Sequence, residues 1–287
     1  MRSRYAEALL AALAWSGCAT PAVSTTSGVR NECSSCHVAE AAEWASSLHR
    51  ASFTDADFQR AFAREPLAFC EGCHAPRARE EGVTCIHCHE TQLTASRGHA
   101  PTRAVPCARC HEFDFPDAPL AMQSTASENA AMGGRACAEC HLPQRGGHRD
   151  HRFAVTRDPA MLRAALAPPT MRREGATLVL VLESRGVGHA LPTGDLFRRL
   201  RVTYWTEDRA GAVLEYEERL LHKHFGRHHG EADRVVDTRL APRHEERFAA
   251  NGVTAHVRVT YERVAAPTVH DAELFDSIPL AEAQWPL

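Results

Sequence analysis

The chain of 287 residues has almost no lysine, no long apolar run and little net charge. Lys223 is the single lysine, and 33 basic residues nearly balance 36 acidic ones, which gives a formal charge of -3. This balance excludes a strongly basic nucleic-acid binder. No stretch reaches the roughly 18 consecutive apolar residues that a membrane-spanning helix needs. Any membrane attachment is therefore expected to go through a lipid.

The first residues have the pattern of a secretory signal. Two arginines precede a short apolar run at residues 8–15, and Ser16 and Gly17 then lead to Cys18. This order predicts a lipoprotein-type signal peptide at residues 1–17, export to the periplasm and a lipid on Cys18, with plain signal cleavage as the alternative. A stretch rich in Ser, Thr and Pro makes residues 18–32 a predicted flexible tether.

Ten of the eleven cysteines fall in five copies of the pattern Cys-x-x-Cys-His. Chance placement of the cysteines and histidines would give roughly 0.03 copies, so the repeats require a chemical cause. The copies consist of Cys33, Cys36 and His37; Cys70, Cys73 and His74; Cys85, Cys88 and His89; Cys107, Cys110 and His111; and Cys137, Cys140 and His141.

The pattern is typical of covalent haem attachment. Two thiols add to the two vinyl groups of one porphyrin, and the adjacent histidine coordinates the iron. We therefore predict five c-type haems. Structural zinc and disulfides are the alternatives, but zinc uses pairs of pairs and neither explains the repeated histidine.

The motif region is short for the amount of cofactor predicted. Residues 33–151 provide only about 24 residues per haem, too few to build a separate apolar core. The porphyrins are then expected to supply most of the apolar interior. Such spacing also brings the porphyrins close together, so that electrons can pass from one to the next.

Haems that transfer electrons usually need a second axial ligand. His49 follows the first motif on a predicted helix, His99 lies on a loop between the third and fourth motifs, and His151 follows the fifth. We predict these three as distal ligands, with surface histidines as the alternative. The remaining histidines include His148, a second candidate after the fifth motif, His87, a predicted bystander, and a group at residues 222, 224, 228 and 229, predicted to be solvated.

The two halves of the chain differ in their patterns. Helix signals occur around the motifs: a capping box at residues 125–128, a stop at Gly133-Gly134, and a start at Asp158-Pro159 for a helix ending near Pro168. Alternating β-branched runs then occupy residues 176–183, 199–206, 213–218, 244–249 and 253–263. We predict an α+β protein with a helical multihaem domain at residues 33–168 and an all-β, immunoglobulin-like sandwich at residues 169–287.

Several segments resemble the multihaem c-type cytochromes related to the tetrahaem electron carrier of nitrifying bacteria and, more distantly, to hydroxylamine oxidoreductase. They are residues 44–49, 81–84, 110–113, 122–125, 140–143 and 151–153, and the loop Gly188-His189-Ala190-Leu191-Pro192-Thr193-Gly194. The likeness covers most of the chain and implies that His189 is a distal ligand reaching across from the β-rich half. Five motifs in this chain, against four in the carrier, leave the ligands of at least one haem unassigned.

These observations predict an exported electron carrier that is periplasmic or attached to the outer membrane, with redox proteins as donor and acceptor and no nucleic-acid partner. Four distal candidates for five haems leave an alternative open. One haem would then keep an open position and reduce or oxidise a small nitrogen or oxygen compound. In a third hypothesis, compatible with either, the β-sandwich docks a redox partner.

Overall fold

The computed structural model describes residues 33–89, 107–114, 121–153, 157–228 and 231–287. The chain divides into two compact units, Met1–Val38 and Ala39–Leu287. Helices and short strands occupy the described part before residue 170, and longer strands follow it. The prediction of mixed helix and sheet with a β-rich C-terminal region is therefore confirmed. The division into two domains at residue 168 stays a prediction.

The helical elements are short. The helices are α1 (Val38–Ala45), α2 (Ala56–Arg64), α3 (Ala68–His74), α4 (Cys85–Cys88), α5 (Ala108–His111), α6 (Thr125–Ala131), α7 (Cys137–His141) and α8 (Pro159–Ala164). The short strands among them are β1 (Glu112–Asp114), β2 (Ala121–Ser124), β3 (Gln144–Arg145) and β4 (His148–Arg149).

Helix α8 begins where its sequence predicts. The Asp158 carboxylate accepts hydrogen bonds from the N–H groups of Ala160 and Met161 at 2.9 and 3.2 Å, and Pro159 occupies the first turn. Proline has no N–H to leave unpaired there, so this start is favourable. The helix ends at Ala164, before the predicted end near Pro168.

The predicted capping box at the start of α6 is wrong. The helix begins at Thr125, and the preceding Ser124 makes no capping bond with its side chain. The N–H groups of Ala126 and Ser127 donate instead to Glu112 Oε2, at 2.9 and 3.2 Å. A carboxylate from another element thus caps α6, and Glu128 is available for a different contact.

The long strands form two larger antiparallel sheets and a hairpin. One sheet has the order β11-β6-β5, the other has the order β13-β12-β7-β8, and β9 pairs with β10. The strands are β5 (Thr170–Glu174), β6 (Thr177–Glu183), β7 (Arg198–Glu207), β8 (Val213–Leu221), β9 (Lys223–His228), β10 (Glu231–Asp237), β11 (Arg243–Ala249), β12 (Thr254–Val264) and β13 (Leu274–Pro286). All five predicted strands are present, whereas β5, β9, β10 and β13 were not predicted.

The apolar core lies almost entirely in the β-rich part. Side chains from both sheets, such as Leu180 of β6 and Val202 of β7, belong to one buried cluster. Among the residues described before position 157, Phe53 and Ala75 alone are buried hydrophobic residues. The motif region therefore has little apolar core of its own in its described segments.

Candidate functional site

Each Cys-x-x-Cys-His motif is built on a short helical turn. The histidine N–H donates to the carbonyl of the first cysteine at 2.9 Å in His37, 2.8 Å in His89 and 3.0 Å in His111. Residues separated by three and four positions share one helical face. The two thiols and the imidazole of a motif are therefore presented on the same side, as attachment to one porphyrin edge requires.

Three motif histidines each face a histidine from a distant segment. The distances between ring centres fall within 0.1 Å of one another. They are 6.3 Å for His111 and His49, 6.3 Å for His89 and His151, and 6.2 Å for His141 and His189.

This spacing fits a metal held between two imidazoles. A histidine nitrogen binds a metal at about 2.0 Å, so two rings on opposite sides of one ion have centres about 6 Å apart. Burial lowers the pKa of His49 and His141, and it lowers the pKa of His111 to about 4. These rings are therefore neutral at pH 7, which is the form that binds a metal.

His49 is positioned by the segment that leads into the third motif. The Val83 N–H donates to the His49 carbonyl at 2.8 Å, and Trp44 Nε1 donates to the Val83 carbonyl at 2.8 Å. Gly82 has a φ of +61°, and a Cβ there would lie 2.5 Å from the His49 carbonyl oxygen and closer still to that of Arg50. Helix α1 ends at Ala45, so His49 lies in the turn after the helix and not on it.

His151 is positioned by Glu43 of α1. Glu43 Oε2 accepts a hydrogen bond from the His151 N–H at 2.8 Å, and Oε1 lies 3.1 Å from His148 Nε2. The same backbone bond is the main reason that the pKa of Glu43 is lowered. His151 Nδ1 donates to the Arg149 carbonyl at 2.6 Å, which leaves Nε2 as the nitrogen that can bind a metal. The Glu43 carboxylate thus contacts the ring of His148 but the backbone of His151.

Other ring nitrogens are also fixed by hydrogen bonds. His189 Nδ1 lies 3.0 Å from the Ala190 carbonyl, and His74 Nδ1 lies 2.7 Å from the Ser52 carbonyl. The side-chain amide of Gln123 lies 3.0 Å from His111 Nδ1. Contacts of this kind set the tautomer and the orientation of a metal-binding ring.

The other candidates are distributed as follows. The His74 ring stacks on Phe58 with centres 3.9 Å apart. His87 Nδ1 accepts a hydrogen bond from the Thr84 N–H at 2.9 Å, and this bond helps to cap α4. His99 and Cys18 lie outside the described residues. The distal ligands for the haems of the first two motifs therefore stay unassigned.

Cysteines from different motifs approach one another. Cys73 contacts Cys110, and Cys107 contacts Cys137, which joins the second, fourth and fifth motifs. The Cys110 contact raises the pKa of Cys73, whereas burial first and then the nearby Cys137 raise the pKa of Cys107 to about 11. Burial also raises the pKa of Cys88 in the third motif, with a smaller effect from Cys110. The attachment points of four motifs thus lie close together.

His222, in the histidine group after β8, is not solvated, contrary to prediction. His222 is buried, its ring stacks on His224 with centres 4.5 Å apart, and burial lowers its pKa to about 4. The side chains of His228 and His229 lie outside the described residues. Within the segments that the structure describes, no group of three or more His, Cys, Asp or Glu side chains is arranged to hold a metal ion.

The residues that support the candidate ligands could not be identified from the sequence alone. Glu43, Gln123 and Glu128 have common side chains in helical or polar contexts, and nothing local indicates their partners. Gly82 belongs to one of the family-like segments, and an isolated glycine before a motif is the kind of signal that indicates a close backbone approach.

In the described part of the chain no helix is long and apolar enough to cross a membrane.

No protein-family model and no curated protein sequence matches the chain. A solved structure that is similar is the penta-heme cytochrome c552 from Thermochromatium tepidum, with a TM-score of 0.69 and 20% sequence identity over 89% of this chain and 97% of the other. The chain therefore shares the fold of that penta-heme cytochrome.

Proposed function

We propose that this chain is a multihaem c-type cytochrome that transfers electrons through five covalently attached haems. The observation that carries the proposal is the set of three histidine pairs with ring centres 6.2 to 6.3 Å apart. In each pair one histidine completes a Cys-x-x-Cys-His motif and the other comes from a different segment. This is the arrangement that a six-coordinate haem iron requires.

The chain's own residues fix the properties of each centre. Ten cysteines would form the thioether bonds, and each of the five motif histidines would bind the iron of its haem. His49, His151 and His189 would each supply a second ligand to one of these irons, and His99 is proposed for one remaining haem. The haem supplies reversible one-electron chemistry, and two histidine ligands give it a lower potential than a histidine with a methionine. Buried rings with a fixed Nδ1 keep that ligation constant while electrons pass.

The contacts between motifs support transfer along the chain. Cysteines of the second and fourth motifs touch, as do cysteines of the fourth and fifth. Haems held by these neighbouring cysteines would lie close to one another. Such closeness would favour electron transfer from one haem to the next.

The similar structure is described as a penta-heme cytochrome, and its name agrees with the five motifs of this chain. The resemblance to the tetrahaem electron carrier and to hydroxylamine oxidoreductase also supports a redox role. We further propose that the two larger sheets form an immunoglobulin-like sandwich, because three and four antiparallel strands enclose one apolar core. This part of the chain is the proposed docking module for a redox donor or acceptor.

Haem content tests the proposal directly. The mature protein is expected to give five haems per chain in a pyridine haemochrome assay related to protein mass, because each of the five motifs holds one porphyrin. The spectrum of the oxidised protein is expected to be dominated by low-spin iron. A colourless, correctly matured protein would contradict the proposal, and fewer than five haems would show that at least one motif serves another purpose.

An oxidoreductase with one open haem is the second candidate function. It is favoured by His74, whose ring stacks on Phe58 and, among the described residues of the second unit, pairs with no other imidazole. Burial lowers the pKa of His74, and the ion pair between Asp195 and Arg198, 2.8 Å apart, lies near its ring. A high-spin ferric signal that responds to cyanide or nitric oxide in the wild-type protein would favour this enzyme. Uniform low-spin iron would exclude it.

Export and lipid attachment are proposed from the N-terminal pattern, with the periplasm or the periplasmic side of a membrane as the location. Intact-mass analysis of protein purified from the membrane fraction is expected to show cleavage before Cys18 and an added acyl mass. The Cys18→Ser variant is expected to lose that mass and to appear in the soluble periplasmic fraction. A wild-type species that begins elsewhere and carries no acyl group would contradict lipidation.

A further inference from the structure

Helix α6 contacts the loop that carries His189 at several points. We call residues 188–194 the histidine loop. The Ala190 N–H donates to Glu128 Oε2 at 3.1 Å, and the Thr193 hydroxyl donates to the same oxygen at 3.2 Å. The Thr193 hydroxyl also lies 2.9 Å from the Thr125 hydroxyl at the start of α6. The segment that follows His189 is thus tied to one short helix.

The start of the loop also lies close to α6. A Cβ added to Gly188 would lie 2.5 Å from Asn129 Oδ1, so the backbone before His189 passes close to a side chain of this helix. Asn129 is the residue after Glu128. The helix and the histidine loop are therefore in contact before and after the ligand position.

Glu128 also joins the loop to the sheet region. Its Oε1 accepts from Arg239 Nη2 at 2.5 Å, and Arg239 Nη1 donates to the Pro192 carbonyl at 3.2 Å. The side chains of Arg239 and Glu128 are 6% and 15% exposed, so the ion pair is largely shielded from water. A shielded carboxylate that accepts several hydrogen bonds holds its partners more firmly than an exposed one.

We propose that Glu128 is a positioning residue that holds the histidine loop, and so keeps His189 on the iron of the haem bound by the fifth motif. The inference rests on the proposed function, because it assumes a haem between His141 and His189. Glu128 does not touch the iron. It acts through the Ala190 N–H, the Thr193 hydroxyl and Arg239, which together fix the backbone that directly follows the ligand.

Removal of the Glu128 carboxylate is expected to affect one haem only. Gln123, just before α6, contacts His111 and the Thr125 hydroxyl, the latter at 3.3 Å. The cap on α6 comes from Glu112. Neither contact uses Glu128, so its removal leaves the supports of His111 in place.

The experiment compares Glu128→Ala and Glu128→Gln with His189→Ala and with a charge control, in the haem-loaded protein. Glu282→Gln is the control, because Glu282 of β13 lies outside every motif and its exposed side chain pairs with exposed Arg258 at 3.1 Å. The readouts are the high-spin ferric signal by electron paramagnetic resonance and the rate of carbon monoxide binding to the reduced protein.

We expect His189→Ala to give one high-spin haem. Glu128→Ala is expected to give a partial high-spin signal and carbon monoxide binding to one haem about tenfold faster or more, because the loop that carries the ligand opens more often. The high-spin signal and the carbon monoxide binding rate of Glu128→Gln should lie between those of Glu128→Ala and wild type, since the amide oxygen still accepts one hydrogen bond. Glu282→Gln should match wild type in both readouts.

The outcomes separate this inference from the proposed function. If His189→Ala gives a high-spin haem but Glu128→Ala and Glu128→Gln match wild type, the role of Glu128 is overturned and the cytochrome assignment stands. If His189→Ala leaves the spectrum unchanged, His189 is not the ligand and the inference falls. If Glu128→Ala does not fold, an intermediate Glu128→Gln supports the inference and a wild-type Glu128→Gln overturns it. A wild-type protein without haem overturns both proposals.

Discussion

His151→Ala is expected to convert one of the five haems from six-coordinate, low-spin iron to high-spin iron. The variant removes the ring that faces His89 at 6.3 Å and leaves the motif and its thioether bonds intact. Haem content should therefore stay at five per chain while about one fifth of the ferric iron changes spin state. Electron paramagnetic resonance and the absorption spectrum of the oxidised protein measure this change.

His148→Ala is the matched control for this prediction. It removes an imidazole only three residues away, whose Nε2 contacts the Glu43 carboxylate. Its spectrum is expected to stay low-spin, because the His151 N–H keeps its own bond to Glu43. A spin change in His148→Ala and none in His151→Ala would reverse the assignment of the two histidines.

Gly82→Ala is expected to cause a large loss of stability through the addition of a single methyl group. The residue has a φ of +61°, and the new Cβ would overlap the carbonyl oxygens of His49 and Arg50. Left-handed backbone strain and overpacking against fixed backbone together cost about 2–5 kcal/mol. The displaced His49 should also perturb the spectrum of the haem that it shares with His111. Thermal unfolding and the ferric spectrum measure the two effects.

Gly175→Ala is the control that separates backbone strain from steric overlap. Gly175 has nearly the same φ, +63°, but no atom lies within 4 Å of the position that a Cβ would take there. Only backbone strain of about 1–2 kcal/mol is then expected, with an unchanged haem spectrum. Equal losses of stability in the two variants would show that the close approach to His49 has no energetic consequence.

The motifs could be predicted from sequence because their chemistry is local. Five residues contain both thiols and the first iron ligand, so Cys85, Cys88 and His89 identify a haem site without knowledge of the fold. The proposed second ligands are different, because their choice depends on contacts between distant segments. His148 and His151 are nearly equivalent in sequence, and Glu43, more than one hundred residues earlier, is what separates them.

Strands with a regular alternation of apolar and polar residues could be predicted from the sequence. Two strands that could not be predicted, β13 and β5, have physical explanations. In β13 the prolines Pro279 and Pro286 argue against a strand. The strand is at the edge of its sheet, and the register shifts beside Pro279, where Leu280 is the extra residue. An edge and a bulge both tolerate a residue that cannot donate a hydrogen bond. Strand β5 is mostly exposed and rich in charge, so it has no apolar alternation to detect.

The pairing of distant histidines has a consequence for the unfolded chain. The members of the three pairs are about 60, 60 and 50 residues apart in sequence. An iron bound by both members closes a loop of that length, as a disulfide does. In the chain-entropy treatment each closure removes about 4 kcal/mol of conformational freedom from the denatured ensemble. Axial ligation would in this way act as a set of reversible cross-links, and loss of one distal ligand would loosen the polypeptide as well as change an iron centre.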